Sequence, residues 1–400
     1  MTTSAATDAA TAVQRDERRA LGVACGAHAL HDGYTDLIYV MLPVWQHEFA
    51  LGYAALGLMK TVFSGTLAGF QIPMGYLAER VGAPLVLAIG TAVAGLGYCI
   101  AGASSGVAML VVALFIGGLG ASTQHPLASS LIAHAFSGAR SRKALGTYNF
   151  AGDIGKMTVP AAASLLLVVL PWREALALLG GLGVLAATVI FVAMPRQSAG
   201  TAAASKSDKS GARATDRRYG FPLLLSVGVL DSATRMAFLT FLPFVLTAKG
   251  ASLPTVGLSL TLVFAGGAAG KLVCAFIGAR IGTVATVWLT EAVTAAGIAA
   301  LLPLPLEAAL ILLPVVGIAL NGTSSVLYGS VPELVEPEKR TRAFGIFYTG
   351  TIGAGAVSPA IYGLLGDAVG VPTALIVVAG MVLLTLPITL VLRPALAAAR

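Results

Sequence analysis

Apolar runs of about 20 residues or more recur along all 400 residues of this chain, and that recurrence constrains its fold most. A helix crossing roughly 30 Å of hydrocarbon needs about 20 residues, so each run is long enough to span a membrane. Twelve such runs lie near 19–44, 54–79, 84–103, 106–136, 144–170, 173–194, 221–247, 254–279, 283–302, 305–331, 342–366 and 371–394. Backbone inside lipid must satisfy its own hydrogen bonds, so the pattern predicts an all-α integral membrane protein. Only 11% of residues are charged, 57% are hydrophobic and the mean hydropathy is +0.87. A soluble domain carries about 25% charged residues, so most of this surface must face lipid.

The net charge of +7 does not indicate a nucleic-acid partner, because the basic residues fall between apolar runs and not on one basic face. With twelve spans, nineteen Lys and Arg fall on one side of the membrane and two, Arg173 and Lys249, on the other. Lys60, Lys156, Arg235 and Lys271 sit inside spans and complete the 25. The positive-inside rule then places both termini in the cytoplasm, with the chain in the cell (inner) membrane. Met1 to Gln14 lacks the apolar core of a cleavable signal. Cys25, Cys99 and Cys274 are far apart and form no CxxC pair, so they read as packing residues.

The stretch from Gln197 to Arg218 is rich in Ser, Ala and charge and has no apolar periodicity. It divides the chain into a tail (1–18), a six-helix bundle (19–196), a cytoplasmic linker (197–220) and a second six-helix bundle (221–400). The bundles repeat each other at an offset near 200, pairing Leu42-Pro43 with Leu242-Pro243, Arg80 and Gly82 with Arg280 and Gly282, and Gly117 with Gly317. Duplicated halves place a substrate site at their pseudo-twofold interface near the midplane.

After the second run the chain reads Gly75-Tyr76-Leu77-Ala78-Glu79-Arg80-Val81-Gly82, which resembles the loop signature G-x-L-a-D/E-r-x-G of the major facilitator superfamily. The second copy keeps Arg280 and Gly282, with Ala279 in place of the acid. Gly152, Gly155 and Pro160 are similar to a glycine and proline pattern of the superfamily's antiporters, with Val159 where a glycine is expected. Within the superfamily the chain is most similar to the fosmidomycin resistance group of efflux proteins. That likeness is carried by His28-Ala29-Leu30-His31-Asp32, by Gly118 to Gly120 with His125-Pro126, and by Gly152, Gly155 and Pro160. Asp153 and Lys156 depart from it, standing where uncharged residues are expected. The resemblance implies two pseudo-symmetric six-helix halves, alternating access and efflux. It also implies a conformational-switch loop at Gly75, Glu79, Arg80 and Gly82, where charges at the end of the second helix bridge neighbouring helices in one state; the simpler reading of Arg80 is one more positive-inside residue.

Nine charged residues lie inside spans, where each costs about 2.5–3.5 kcal/mol on insertion scales unless it is paired or hydrated. His28, Asp32 and Asp36 follow at four-residue spacing and form one polar stripe that must face the cavity. Asp32 is then either a proton carrier or an ionised tether between helices. Asp153 with Lys156 and Asp231 with Arg235 are one turn apart and are either self-neutralising pairs or carboxylates that exchange their cation with an anionic substrate. Lys271 has no acid within a turn, so it meets a partner on another helix or the substrate. Lys60 and Asp36 lie closer to the outer face and either snorkel or pair, and Lys60 is left outside the site. Glu291 sits in a helix expected to be peripheral and has no evident role. Glycine clusters such as 117–120 and 266–270 read as packing surfaces. Gly270-Lys271 is only superficially similar to a phosphate loop, and no H-E-x-x-H or nucleophile and base arrangement is present, so an enzyme is not expected.

The expected function is proton-coupled secondary transport of a small anionic or zwitterionic molecule by a monomer. Asp32, Asp153 and Asp231 are the proton-carrier candidates. His28, His31, His125, Lys156, Arg235, Lys271, Tyr148, Asn321 and Tyr348 are the substrate-binding candidates. Neither a cofactor nor a metal is expected. The alternatives are an uptake symporter for an organic anion, a metal-ion carrier using His28, His31, Asp32 and His125, and a membrane receptor that moves nothing.

Overall fold

A computed structural model describes residues 2–136, 138–195, 219–336 and 339–397. Most of the expected linker, through Arg218, lies outside the described residues. The first seven helices are α1 (Thr2–Phe49), α2 (Tyr53–Val81), α3 (Ala83–Gly102), α4 (Val107–Ala121), α5 (Gln124–Ala135), α6 (Gly138–Val169) and α7 (Trp172–Ala193). The other seven are α8 (Gly220–Ala248), α9 (Leu253–Ile281), α10 (Thr283–Leu301), α11 (Leu306–Leu334), α12 (Arg340–Val369), α13 (Val371–Val382) and α14 (Thr385–Ala397).

Ten helical stretches among the described residues are long and apolar enough to cross a membrane. The other two expected spans lie in α1 and α2, whose hydropathy is lowered by polar residues such as His28, Asp32 and Lys60. Helix α1 begins at Thr2, so the stretch read as a tail continues the first helix.

Two expected spans are each split, and both splits follow from proline. Pro126 has no N–H to bond the Ser122 carbonyl one turn back, and the helix breaks at Ser122-Thr123 between α4 and α5. The Ser122 and Thr123 hydroxyls donate instead to the Leu119 and Gly120 carbonyls, at 2.7 and 3.0 Å. Pro387 stands in the same relation to Leu383, where α13 ends before α14 begins.

The helices sort into two compact units, the first comprising residues 1–38 and 62–202 and the second 39–61 and 203–400. In the first unit small residues bring helices to backbone contact. A side chain on Gly95 would strike the Gly180 carbonyl at 2.6 Å, and one on Gly97 would meet the Gly117 Cα at 2.6 Å, so α3 lies directly on α7 and α4. Ala20, Ala24, Leu87, Leu131 and Tyr148 belong to the buried core at one end of this unit.

In the second unit α9 and α11 cross in the same way, with Gly266 against Pro314 and Gly270 against Ile318. The cluster at 266–270 is thus the packing surface that its composition indicates. The first turn of α2 is capped from α12, where the Asp367 carboxylate accepts the backbone N–H of Tyr53 at 2.6 Å and of Ala54 at 2.9 Å. These are two donors that a helix N-terminus cannot satisfy internally, and the carboxylate also meets the positive end of the helix dipole. Of the two readings of Lys60, snorkelling to the surface or pairing, its burial fits the second. It is 2% exposed, with its ammonium 4.4 Å from the centre of the Tyr39 ring, where the π face stabilises the charge.

Gly82 and Gly282 each form a single-residue joint, between α2 and α3 and between α9 and α10, with φ of +98° and +83°. That backbone region favours glycine, which explains why the turn survives in both halves of the repeat. Replacing Asp367 with Ala removes two cap bonds and is expected to cost about 1–2 kcal/mol. The drop should appear as a lower unfolding midpoint of purified protein in detergent, while Asp367→Asn, which keeps an acceptor, should lose less.

Candidate functional site

The polar stripe on α1 converges with α5 and α6 inside the first unit. Helix α6 approaches because Gly152 and Gly155 have no side chains. A methyl on Gly152 would lie 2.6 Å from Asp32 Oδ2, and one on Gly155 would overlap the Ala29 backbone. Val159, which occupies the position of an expected glycine, faces Gly33 on α1 with its side chain filling the space that a methyl there would need. The small residue of that contact has moved to the opposite helix.

This close crossing brings Lys156 Nζ to 3.5 Å from Asp32 Oδ2. Lys156 therefore reaches across to α1 as well as lying one turn from Asp153. On the other carboxylate oxygen, the Nε2 atoms of His28, His31 and His125 lie at 3.4, 3.9 and 3.9 Å from Asp32 Oδ1. The helix break before Pro126 delivers His125, whose Nε2 is 3.3 Å from that of His31. The His28 ring stacks on Tyr148 at 3.9 Å between centroids, and His28 Nδ1 lies 2.8 Å from the Tyr148 carbonyl.

The stripe is less open than expected of a cavity wall. His28, His31, Asp32 and Asp36 are all buried, and so is Asp153. The side chains of His125 and Lys156 are 44% and 34% exposed, so access to Asp32 runs past these two. In chemical terms the site offers one ammonium, one carboxylate and three imidazoles. A small anion can displace the carboxylate from the ammonium, because both compete for the same charge.

The second unit holds a separate polar group. Asp231 on α8 is buried, and its electrostatic neighbour is Arg235 one turn on. Glu291 on α10 is 1% exposed and lies within electrostatic range of Asp231 and Arg235, with the Thr323 hydroxyl beside it. The Thr323 hydroxyl in turn contacts that of Thr290 at 2.7 Å. Glu291 is the residue that sequence reasoning left without a role. A signal was present in Thr283, Thr286, Thr290 and Thr294, a hydroxyl stripe at helical spacing along the same helix.

Asn321 donates to the Gly317 carbonyl at 3.2 Å and abuts Gly267, which gives it a packing role. Tyr348 is half exposed and packs on Tyr328, with ring centroids 4.6 Å apart. Lys271 is exposed on α9. In the expected switch loop Glu79 and Arg80 are exposed at the end of α2, beside the Gly82 joint, and Gly75 is half-buried.

A model of the Major Facilitator Superfamily matches residues 24–230 and 223–399. The chain is 25% identical over 375 residues to the fosmidomycin resistance protein of Escherichia coli K12, covering 90% of this chain and 89% of that protein. It is 26% identical over 385 residues to a probable sulfoacetate transporter of Cupriavidus necator, covering 88% and 87%. Among solved structures, an inward-facing, occupied bacterial homologue of the human lysosomal transporter Spinster superposes with a TM-score of 0.78 at 14% identity, covering 95% of this chain and 97% of that one. A variant of the nucleoside transporter NupG superposes at 0.75 and 14%, covering 94% and 99%.

The crossing of α1 and α6 makes a specific prediction. Gly33→Ala should destabilise the protein by about 1–3 kcal/mol through overpacking against Val159. Adding Val159→Gly should recover much of that loss, so the double variant is more stable in detergent melts than the sum of the two single effects. Additive losses would mean that the two residues do not share this contact.

Proposed function

The chain belongs to the major facilitator superfamily and is a multi-pass membrane transporter, and we propose that it carries a small anionic or zwitterionic molecule outward in exchange for protons. The observation that carries this reading is the Lys156 to Asp32 ion pair at 3.5 Å, held between two helices and accessible from the Lys156 side. An anionic substrate takes the ammonium, and His31 and His125 supply hydrogen bonds beside it. Breaking the α1 to α6 tether then frees the two helices to move relative to each other, which ties occupancy to alternating access. In the second unit Arg235 and Lys271 are the proposed positive contacts of the substrate, and Tyr148 and Tyr348 are proposed aromatic contacts, each within its own unit.

Of the three acids expected to carry the proton, Asp231 has the neighbours that fit the task best. Asp231 and Glu291 are two carboxylates acting on one guanidinium, Arg235. Two charges of one sign cannot share a single counter-charge in a low-dielectric site without a further positive charge, and a proton supplies it. Asp32 and Asp153 act through exchange of the Lys156 partner. The exposed Glu79-Arg80 pair beside the Gly82 joint serves as the conformational-switch loop.

The fosmidomycin resistance relative supports the outward direction, and the probable sulfoacetate transporter, named for an anion, supports the substrate class. The distribution of Lys and Arg supports a cell inner membrane location with both termini in the cytoplasm. Both polar groups lie within one chain, which suits a monomer.

The test is flux by purified protein in proteoliposomes with an imposed pH gradient, an internal pH-sensitive dye and a panel of sulfonates, phosphonates and carboxylates. Lys156→Ala should reduce anion flux at least tenfold with the folded protein retained. Asp231→Asn and Glu291→Gln should leave anion exchange measurable but abolish the proton movement that accompanies it. Wild-type flux in Lys156→Ala would remove that residue from the site, and gradient-driven proton movement that persists in the Asp231→Asn, Glu291→Gln double variant would move the proton site elsewhere.

A further inference from the structure

We infer that His28, His31, Asp32 and His125 form a binding site for one divalent transition metal of the zinc, cobalt and nickel class. Three of the five histidines in the chain meet at this point, although two come from α1 and the third from α5, roughly 95 residues later. In a tetrahedral site with bonds of about 2.0–2.1 Å, neighbouring donor atoms lie about 3.3–3.4 Å apart. The His31 and His125 Nε2 atoms are 3.3 Å apart, and His28 Nε2 is 3.4 Å from Asp32 Oδ1. His31 and His125 Nε2 each lie 3.9 Å from Asp32 Oδ1, about 0.5 Å beyond that spacing, and the ligand atoms of His28, Asp32 and His125 all lie within 4.8 Å of one another.

The proton inventory points the same way. The Tyr148 carbonyl can only accept, so His28 Nδ1 must carry the hydrogen of their 2.8 Å contact. In the neutral ring His28 Nε2 is then a bare lone pair aimed at a carboxylate oxygen that is also an acceptor. His28 is 3% exposed, and its Nε2 has no hydrogen-bond partner. A buried acceptor facing another acceptor is stabilised by positive charge between them, which either a proton or a metal ion supplies. The carbonyl on the far nitrogen is the support that fixes the tautomer of a metal-ligating histidine. Imidazole nitrogen with a carboxylate suits borderline metals, whereas calcium and magnesium take oxygen ligands.

Lys156 sets the expected strength. It occupies Asp32 Oδ2 and leaves Oδ1 to the imidazoles, so its charge opposes the metal through the shared carboxylate. Removing Lys156 should therefore strengthen metal binding while it weakens anion transport. The inference goes beyond the transport reading and does not rest on it, because metal binding is measured without flux.

The experiment uses full-length protein, purified in detergent and stripped with a chelator, titrated with cobalt chloride and then with zinc chloride. One Co2+ per chain should bind with the intense visible absorption of four-coordinate cobalt, and Zn2+ should bleach it. His28→Ala and His125→Ala should each weaken Zn2+ binding by more than the roughly 10–100-fold that follows loss of a ligand's supporting partner. His47→Ala with His134→Ala, which removes the two remaining histidines, should change nothing. Lys156→Ala should tighten Zn2+ several-fold. Absence of saturable binding in the wild type would overturn the site, as would a six-coordinate aqua spectrum or equal affinity in the His28→Ala, His125→Ala double variant.

Discussion

A lysine and an aspartate held together inside a membrane helix bundle are the interaction on which the first unit depends. Neither charge is stable alone in that medium, and even paired they must recover a desolvation cost of several kcal/mol per ion. The recovery requires α1 and α6 to lie close enough for Lys156 to reach Asp32, and that closeness is set by Gly152, Gly155 and Gly33. Backbone contact and ion pair are thus one feature. Glycines allow the approach, and the approach keeps the charges from being orphaned. The same dependence makes the pair a lever, since whatever competes for Lys156 also weakens the contact between two helices.

The second unit uses its charges differently. Asp231, Glu291 and Arg235 bring two acids to one base, with the Thr290 and Thr323 hydroxyls beside them. The two halves share the Gly82 and Gly282 joints, with φ of +98° and +83°, yet their polar interiors differ. One half has an ammonium and imidazoles suited to holding an anion beside a carboxylate. The other has an excess of carboxylate suited to holding a proton.

Much of this was legible in the sequence because membrane burial imposes strong rules. Span length, the positive residues between spans and the four-residue spacing of His28, Asp32 and Asp36 follow from lipid thickness and helix geometry alone. The break that delivers His125 falls one turn before Pro126, although 106–136 reads as one apolar run. Pairings between helices were harder to read. Val159 looked like a departure from a glycine pattern, and only the crossing shows that Gly33 on the facing helix absorbs it. Lys156 lay one turn from Asp153, a local partner that hid its longer reach to Asp32. Glu291 was unreadable because the residues that explain it come from α8 and α11, and Lys60 because the ring beneath it belongs to Tyr39. Periodicity reports which face of a helix is polar but not which helix meets that face.

The proposed exchange of the Lys156 partner is tested directly by infrared difference spectroscopy of the protein in lipid, recorded on adding a sulfonate or carboxylate shown to be transported. Release of Asp32 from the ammonium predicts a carboxylate band that changes on anion binding and is missing from the difference spectrum of Asp32→Asn. Saturable anion binding with an unchanged Asp32 band would show that the ion pair stays closed when substrate is held, and would contradict the exchange.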